Sequence, residues 1–559
     1  MPVALAHCAI PLEGAYRGVT TGLRGNGRRY FRMGALAMST ETGINPSSLV
    51  NWDPYDPHIS ANPYPVYRRL RDERPLYYNE QYDFYAVSRF SDVESCLMDH
   101  QTFSSARSDI LEFIKANAEV PKGMFIWEDP PQHTAYRNVV SRVFTPKRMN
   151  ALEEQVRAYC VRCLEPLEGA DRIDFIADLG AKLPGGVIGM LLGIPDEARD
   201  AVREQIDSAL RTEAGKPMDV NRKSYRGSGF EEYLDWRIKN PAEDLMTELV
   251  NVEFRDETGT TRKLTRDETL IFVNMLAGAG NETTSRLIGW IGKVLGDHPD
   301  QRREIAKNPA LIPAAVEEIL RVEPPGTQVA RYVTRDIEIH GQTVPQGTVM
   351  QCIVAAANRD ERRFPDGDLF NIHREGPPAI TFGRGIHSCL GAALARVEGR
   401  VALDEILKRF PDWTVDVENA HLSSSSTTRG WDTLPAFTKA TRGTAPRAAA
   451  IQPGAATSPS AIPGSETWQC TLQTPAGPQE MTVQLLRNGE ALTGRIDSSM
   501  GGDVISNGKA NGEQLTWTMQ VSKPMSIKLN FDVKVDGDQM TGKVKLGFFG
   551  SATLNGHRV

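Results

Sequence analysis

The hydrophobic period of this 559-residue chain changes once, and that change divides what it can fold into. Up to about Phe437, apolar residues recur at the three- and four-residue spacing of helices, interrupted by short strand-like runs. From Ala440 to Glu466 the composition shifts to Ala, Pro, Ser, Thr and Gly, which reads as a partly extended linker. Beyond it the period becomes two. "LTWTMQV" puts Leu515, Trp517, Met519 and Val521 on one face, and "IKLNFDVKV" does the same with Ile527, Leu529, Phe531, Val533 and Val535. Asn488-Gly489, Asn511-Gly512, Asp536-Gly537 and Asn555-Gly556 are hairpin-turn signals. Roughly eight strands fit this region, and an antiparallel barrel or sandwich is the economical fold. The expected divisions are an N-terminal extension (1–40), a mainly α body with small β sheets (41–439), the linker (440–466) and a small all-β domain (467–559).

Composition narrows the function classes. The net charge of −7 argues against nucleic acid as the main partner. No apolar run is long enough to span a bilayer. The seven cysteines are sparse and odd in number, which is no disulfide framework and points to a reducing cytoplasm. Cys160 and Cys163 form a CxxC but lack a second ligand pair and read as ordinary helix cysteines. The first 37 residues mix arginines with glycines that make a poor amphipathic helix. They read as a disordered extension ahead of Met38 rather than a transit peptide.

Within the larger body, "PLYYNEQYDFYAVS" (Pro75 to Ser88) suggests a strand pair, and Arg148 to Leu164 and Asp196 to Leu210 read as helices. The most informative helix starts at "TRDE", a capping box with Thr265 as N-cap and Glu268 three residues on. It continues so long and apolar that it must be central. Its "AGNETT" places Glu282 beside Thr283, and Thr283 can bond back to the carbonyl of Ala279. A hydroxyl next to a carboxylate in an apolar helix can pass protons.

The strongest signal is "TFGRGIHSCLGAALARVEGRVAL", from Thr381 to Leu403. It puts Cys389 where a glycine-rich loop enters a helix, beginning at about Leu390. Backbone N–H groups and the helix dipole stabilise a thiolate there and can donate to a metal-bound sulfur. Gly383, Gly385 and Gly391 allow backbone to approach a flat ligand, against which Phe382 can lie.

"FGRGIHSCLG" resembles the heme-ligating loop of the cytochrome P-450 family. The resemblance extends over roughly Asn51 to Phe437, because "AGNETT" and "EEILR" match further family motifs in order. It implies heme b (iron protoporphyrin IX) ligated through iron by Cys389. Cofactor contacts are implied from Phe382, Gly383 and Gly391, with propionate partners in His133, Arg137, Arg331 and His387. Glu282 and Thr283 correspond to the acid–alcohol pair that delivers protons. Glu318 and Arg321 correspond to the structural ExxR pair, joined by Arg374. Met275, Ala279, Thr327 and Val329 are expected in the distal pocket by family position, under a mobile lid from Ser108 to Phe125. Ala379 and Ile380 depart from members that carry a histidine nearby.

The implied activity is monooxygenation of an apolar small molecule with O2. The C-terminal region lacks the ligands of an iron–sulfur cluster and the βαβ pattern of a flavin domain. NAD(P)H-derived electrons are therefore expected from a separate ferredoxin-type carrier, with Arg142, Lys147, Arg148, Arg396 and Arg400 as a basic docking face. The alternatives are a heme-thiolate sensor and a peroxide-driven enzyme, with the β domain as a ligand-binding or interaction module. Neither alternative needs the Glu282–Thr283 pair.

Overall fold

The computed structural model describes residues 50–194, 215–218, 220, 230–423, 425, 427–438, 466–474, 477–488, 491–498, 501–521, 527–546 and 551–559. The N-terminal extension, the helix expected from Asp196 to Leu210, the linker up to residue 465 and Gly489 lie outside them.

The dominant element of the larger body is a 32-residue helix, Arg266–Asp297, which buries 21 of its residues. Its start is the expected capping box. Thr265 Oγ1 accepts from Glu268 N at 3.2 Å, and the Glu268 carboxylate accepts from Thr265 N at 2.8 Å. These two bonds satisfy backbone donors that a helix N-terminus otherwise leaves unpaired. Around it pack the helices Leu183–Leu191, Ile312–Val322 and Ala392–Arg409, and Glu153–Leu164 packs in turn on the first and last of these.

A five-stranded sheet, in the order Leu76–Asn79, Phe84–Val87, Val349–Cys352, Val329–Val333, Phe103–Ser104, packs against the short helices Phe90–Met98 and Leu111–Lys115. The first two strands are the antiparallel pair legible in the sequence. Four smaller sheets complete this part among the described residues. The helix expected over Arg148 to Leu164 is two: Pro146–Asn150 and Glu153–Leu164. The first starts at Pro146 behind a Thr145 cap and closes when Ala151 N bonds back to Lys147 O, so Arg148 belongs to it alone. Cys160, in the second, is fully buried in the main core. None of the described residues cluster as a metal site, and none of their helices is long and apolar enough to cross a membrane.

The C-terminal region is a sheet of nine antiparallel strands, the first being Glu466–Thr474. It closes on itself because Gly477–Asn488 pairs with both Glu466–Thr474 and Ala491–Ser498. Eight strands form the circuit, and Gly501–Val504 extends the hairpin from Ala491–Ser498. Eight strands give an interior about wide enough for side chains to fill. Leu515, Trp517, Met519, Leu529, Phe531, Val533 and Val535 point inward, as the alternation requires. Trp517 and Phe531 stack with ring centroids 4.9 Å apart.

Two hairpins turn after Asn511 and Asp536, at Gly512 and Gly537, each with φ near +60°. Asn555-Gly556 is not a turn. It lies inside the strand Ser551–Arg558, where a Cβ on Gly556 would sit 2.4 Å from the Cys470 sulfur. This glycine makes room for a neighbouring side chain, a demand that sequence spacing does not reveal.

Candidate functional site

The Cys389 loop is assembled from three directions. Locally, Cys389 N donates to Phe382 O at 2.8 Å, and Gly385–His387 forms one 3-10 turn. Gly385 has φ +70°, and a Cβ there would meet Leu97 O at 2.8 Å, so backbone from the helix Phe90–Met98 closes over it. From behind, Asn358 accepts from Ile380 N at 2.9 Å and donates to Thr381 Oγ1 at 2.8 Å; Thr381 in turn donates to Leu320 O. Ile380, where family members often place histidine nearby, is fully buried. The helix after the loop runs Ala392–Arg409, two residues later than the sequence suggests, with Gly391 as its cap.

Cys389 is exposed where it opens into a cavity. Burial pushes its thiol pKa up, while backbone donors at Gly391 and Ala392 and the guanidinium groups of Arg137 and Arg396 oppose that. Arg137 also donates to Ser388 O. Arg396 lies 4.4 Å over the Phe382 ring and pairs with Glu317.

The cavity has a volume of about 180 Å³. Cys389, Phe382 and Leu390 line one side, and Met275, Ala279, Gly280 and Thr283 of the long helix line the other. Phe125, the last residue of the expected lid segment, adds apolar wall together with Ile126, Phe144 and Ile188, three residues that sequence reasoning missed because they come from distant segments. Thr283 Oγ1 donates to Ala279 O at 2.8 Å. Thr327 and Val329 are not among the residues lining this cavity. Thr327 faces a small space beside Trp52, Tyr67 and Arg429, its backbone turned there by bonds to Thr427 O and from Ala355 N. A more spacious cavity opens among Tyr64, Trp290, Arg429 and Trp431, but neither Cys389 nor Thr283 lines it. Chemistry rather than volume identifies the site. The segment expected as a lid carries the helix Leu111–Lys115, and Ile110 and Phe113 are buried with Trp127 and Met218.

At the cavity's edge the expected propionate partners come together. The His133 and His387 rings are 4.3 Å apart. Both nitrogens of His133 and Nε2 of His387 are buried with no hydrogen-bond partner. Burial, followed by the nearby Arg331, His133 and Arg137, pushes the His387 pKa down to about 2. Burial and Arg137 push that of His133 down to about 4. Orphaned buried imidazole nitrogens beside two guanidinium groups are costly unless partners arrive, and two carboxylates would supply acceptors for the N–H groups and the guanidinium donors. A Cβ at Gly391 would meet nothing within 4 Å, so open space adjoins the sulfur loop. Together these features fit heme.

Behind the loop, the ExxR pair is buried. Arg321 bonds Glu318 through Nε and Nη2, both at 2.8 Å, and Arg374 Nε reaches the same carboxylate at 3.0 Å. Arg321 also donates to the carbonyls of Asn358, Gly367 and Leu369.

Glu398 was not singled out in the sequence, yet it lines the cavity and is 2 % exposed. Desolvation pushes its pKa up to about 8 from an ordinary 4.5. Because the folded value lies above the unfolded one, the wild type should lose stability as pH rises from about 4.5 through about 8. Glu398→Gln is expected to flatten that decline, compared by urea unfolding at pH 5 and pH 8. Equal slopes in both proteins would contradict it.

The family model "Cytochrome P450" (here written P-450) matches residues 197–428. A Mycobacterium bovis protein designated cytochrome P-450 123 is 36% identical over 390 residues, covering 68% of this chain and 96% of its own. The vitamin D(3) 25-hydroxylase of Pseudonocardia autotrophica is 33% identical over 381 residues, covering 67% and 93%. Among solved structures, a cytochrome P-450 from Chondromyces apiculatus aligns with TM-score 0.61 and 32% identity, covering 70% of this chain and 99% of its own.

Proposed function

This chain belongs to the cytochrome P-450 family, and from that premise we propose that it hydroxylates an apolar small molecule with O2 and two electrons from a separate ferredoxin-type carrier. As a member of that family it is a heme-dependent monooxygenase. The observation that carries the finer reading is one cavity in which Cys389 and Thr283 share apolar walls.

Heme bound there supplies the activation of dioxygen and the insertion of one oxygen atom into the substrate. The Cys389 sulfur holds the iron, and His133, Arg137, Arg331 and His387 hold the propionates. Phe382, Gly383 and Gly391 accept the flat ring. Met275 and Ala279, with Phe125 and Ile188, orient the substrate and exclude water. Thr283 Oγ1 moves protons into the cavity, and Glu282 resupplies them. Glu318, Arg321 and Arg374 hold the frame behind the loop.

The carrier would dock on the side of the Cys389 helix. Arg142 and Lys147 are exposed there. Arg148, Arg396 and Arg400 are partly offset by Glu248, Glu317 and Glu153. Residues 41–439 are assigned as the catalytic domain and 467–559 as a separate one. This is supported by a buried cluster from Trp468 to Leu554 that includes no residue of the helical body.

Turnover of a panel of apolar compounds with a ferredoxin system tests the function. Strict dependence on NAD(P)H and O2 supports it; full turnover with peroxide alone supports the peroxide-driven alternative. Thr283→Ala is expected to lower product per NAD(P)H by at least about tenfold, because positioned proton transfer contributes on the order of 10²–10⁴. Unchanged coupling would remove Thr283 from the relay.

A further inference from the structure

Glu282, unlike Thr283, does not line the cavity. It is 7 % exposed, and its surroundings come from a strap at the end of the helical body. In this strap His421–Leu422 pairs with Trp431–Thr433, and Ser423 N donates to Gly430 O at 2.8 Å. Thr428 Oγ1 reaches out and donates to Glu282 Oε1 at 2.8 Å.

The guanidinium of Arg286, one turn along the helix, lies 3.8 Å from the same oxygen. Its two Nη groups are turned to the strap, while Nε is buried without a hydrogen-bond partner. Nη2 donates to Ser423 Oγ at 2.8 Å, and Nη1 contacts Asp432 Oδ1 at 3.2 Å and also donates to Trp431 O.

The strap is itself anchored. Thr428 bridges Gly326, and Arg429 N donates to Pro325 O at 2.8 Å. The Arg429 side chain bonds Glu323 at 2.6 Å and Tyr64 Oη at 2.9 Å. The Thr428 hydroxyl therefore has a position set by the segment that follows the ExxR helix.

We infer that Thr428, with Arg286 seated on Ser423, positions the Glu282 carboxylate for proton delivery to Thr283. The inference rests on the reading of Glu282 and Thr283 as a relay. A direct two-pronged pair with Arg286 would clamp the carboxylate in its charged form. A neutral hydroxyl at hydrogen-bond distance fixes the orientation of the group without that clamp, and the guanidinium acts through its field alone. Thr428 touches neither substrate nor cofactor on this account; it acts through Glu282.

The test uses the full-length holoenzyme with Thr428→Val, which removes the hydroxyl at nearly constant size, Thr428→Ser, which keeps it, and Glu282→Gln. Infrared spectroscopy identifies the Glu282 carboxyl band as the one missing in Glu282→Gln. That band is expected to move in Thr428→Val and return in Thr428→Ser.

Product per NAD(P)H should fall by about tenfold or more in Thr428→Val, the factor expected for one lost hydrogen bond to a charged group. The solvent isotope effect on turnover should rise with it, and Thr428→Ser should restore both. In a Glu282→Gln background, Thr428→Val should change coupling no further. If Glu282→Gln uncouples the enzyme while Thr428→Val keeps the wild-type band and coupling, the relay stands and the positioning role is wrong. If Glu282→Gln stays fully coupled, the relay reading fails and this inference falls with it.

Discussion

Cys389→Ser is expected to yield a folded protein that no longer shows the strongly red-shifted carbon monoxide band of sulfur-ligated iron. The loop that carries the residue is held by bonds that do not involve its side chain: Cys389 N to Phe382 O, Thr381 Oγ1 to Leu320 O, and Ile380 N to Asn358. Serine keeps the backbone and nearly the volume, so the scaffold should survive. What is lost is a thiolate that two backbone donors and two guanidinium groups favour against burial.

Removing a group that only hydrogen-bonds to a metal ligand typically costs roughly 10- to 100-fold in affinity or activity. Loss of the ligand itself should exceed that. The reduced, carbon monoxide-treated spectrum and turnover with a ferredoxin system both report it. A variant that is heme-replete and retains the sulfur-type band would end the assignment of Cys389.

Arg321→Ala is expected to destabilise the fold severely. Arg321 and Glu318 are 3% and 5% exposed, and the guanidinium serves one carboxylate and three backbone carbonyls at once. Burial pushes the Arg321 pKa down, but its bonds to Glu318 resist this. Deleting one partner of a buried pair leaves the other charge uncompensated, at a cost of about 3–5 kcal/mol. Single domains have only about 5–15 kcal/mol in total.

Arg374 softens the loss by retaining one bond to Glu318, but it cannot reach the Asn358 carbonyl that leads on to the Cys389 loop through Thr381. Low yield of heme-bound protein, and a urea midpoint far below wild type for whatever is recovered, are the expected readings. An unfolding free energy within about 1 kcal/mol of wild type, the size of a typical single hydrogen bond, would show that the network is not a keystone.

Much of this protein was decided by short-range pattern. The capping box at Thr265, the bond from Thr283 to Ala279, and the alternation from Leu515 to Met519 follow from residues within a few positions of one another. Local helix and strand physics acts over that range. The Cys389 loop was legible for the same reason.

Tertiary structure alone decided the rest. Thr428 meets Glu282 across 146 positions, and Arg286 meets Ser423 across 137. Gly556, read locally as a turn, is a strand residue making room for Cys470. Thr327, placed by family position beside the substrate, faces another space. Periodicity records which face of an element is apolar, but not which distant side chain fills the space opposite it. That is settled only when the packed elements bring the two together.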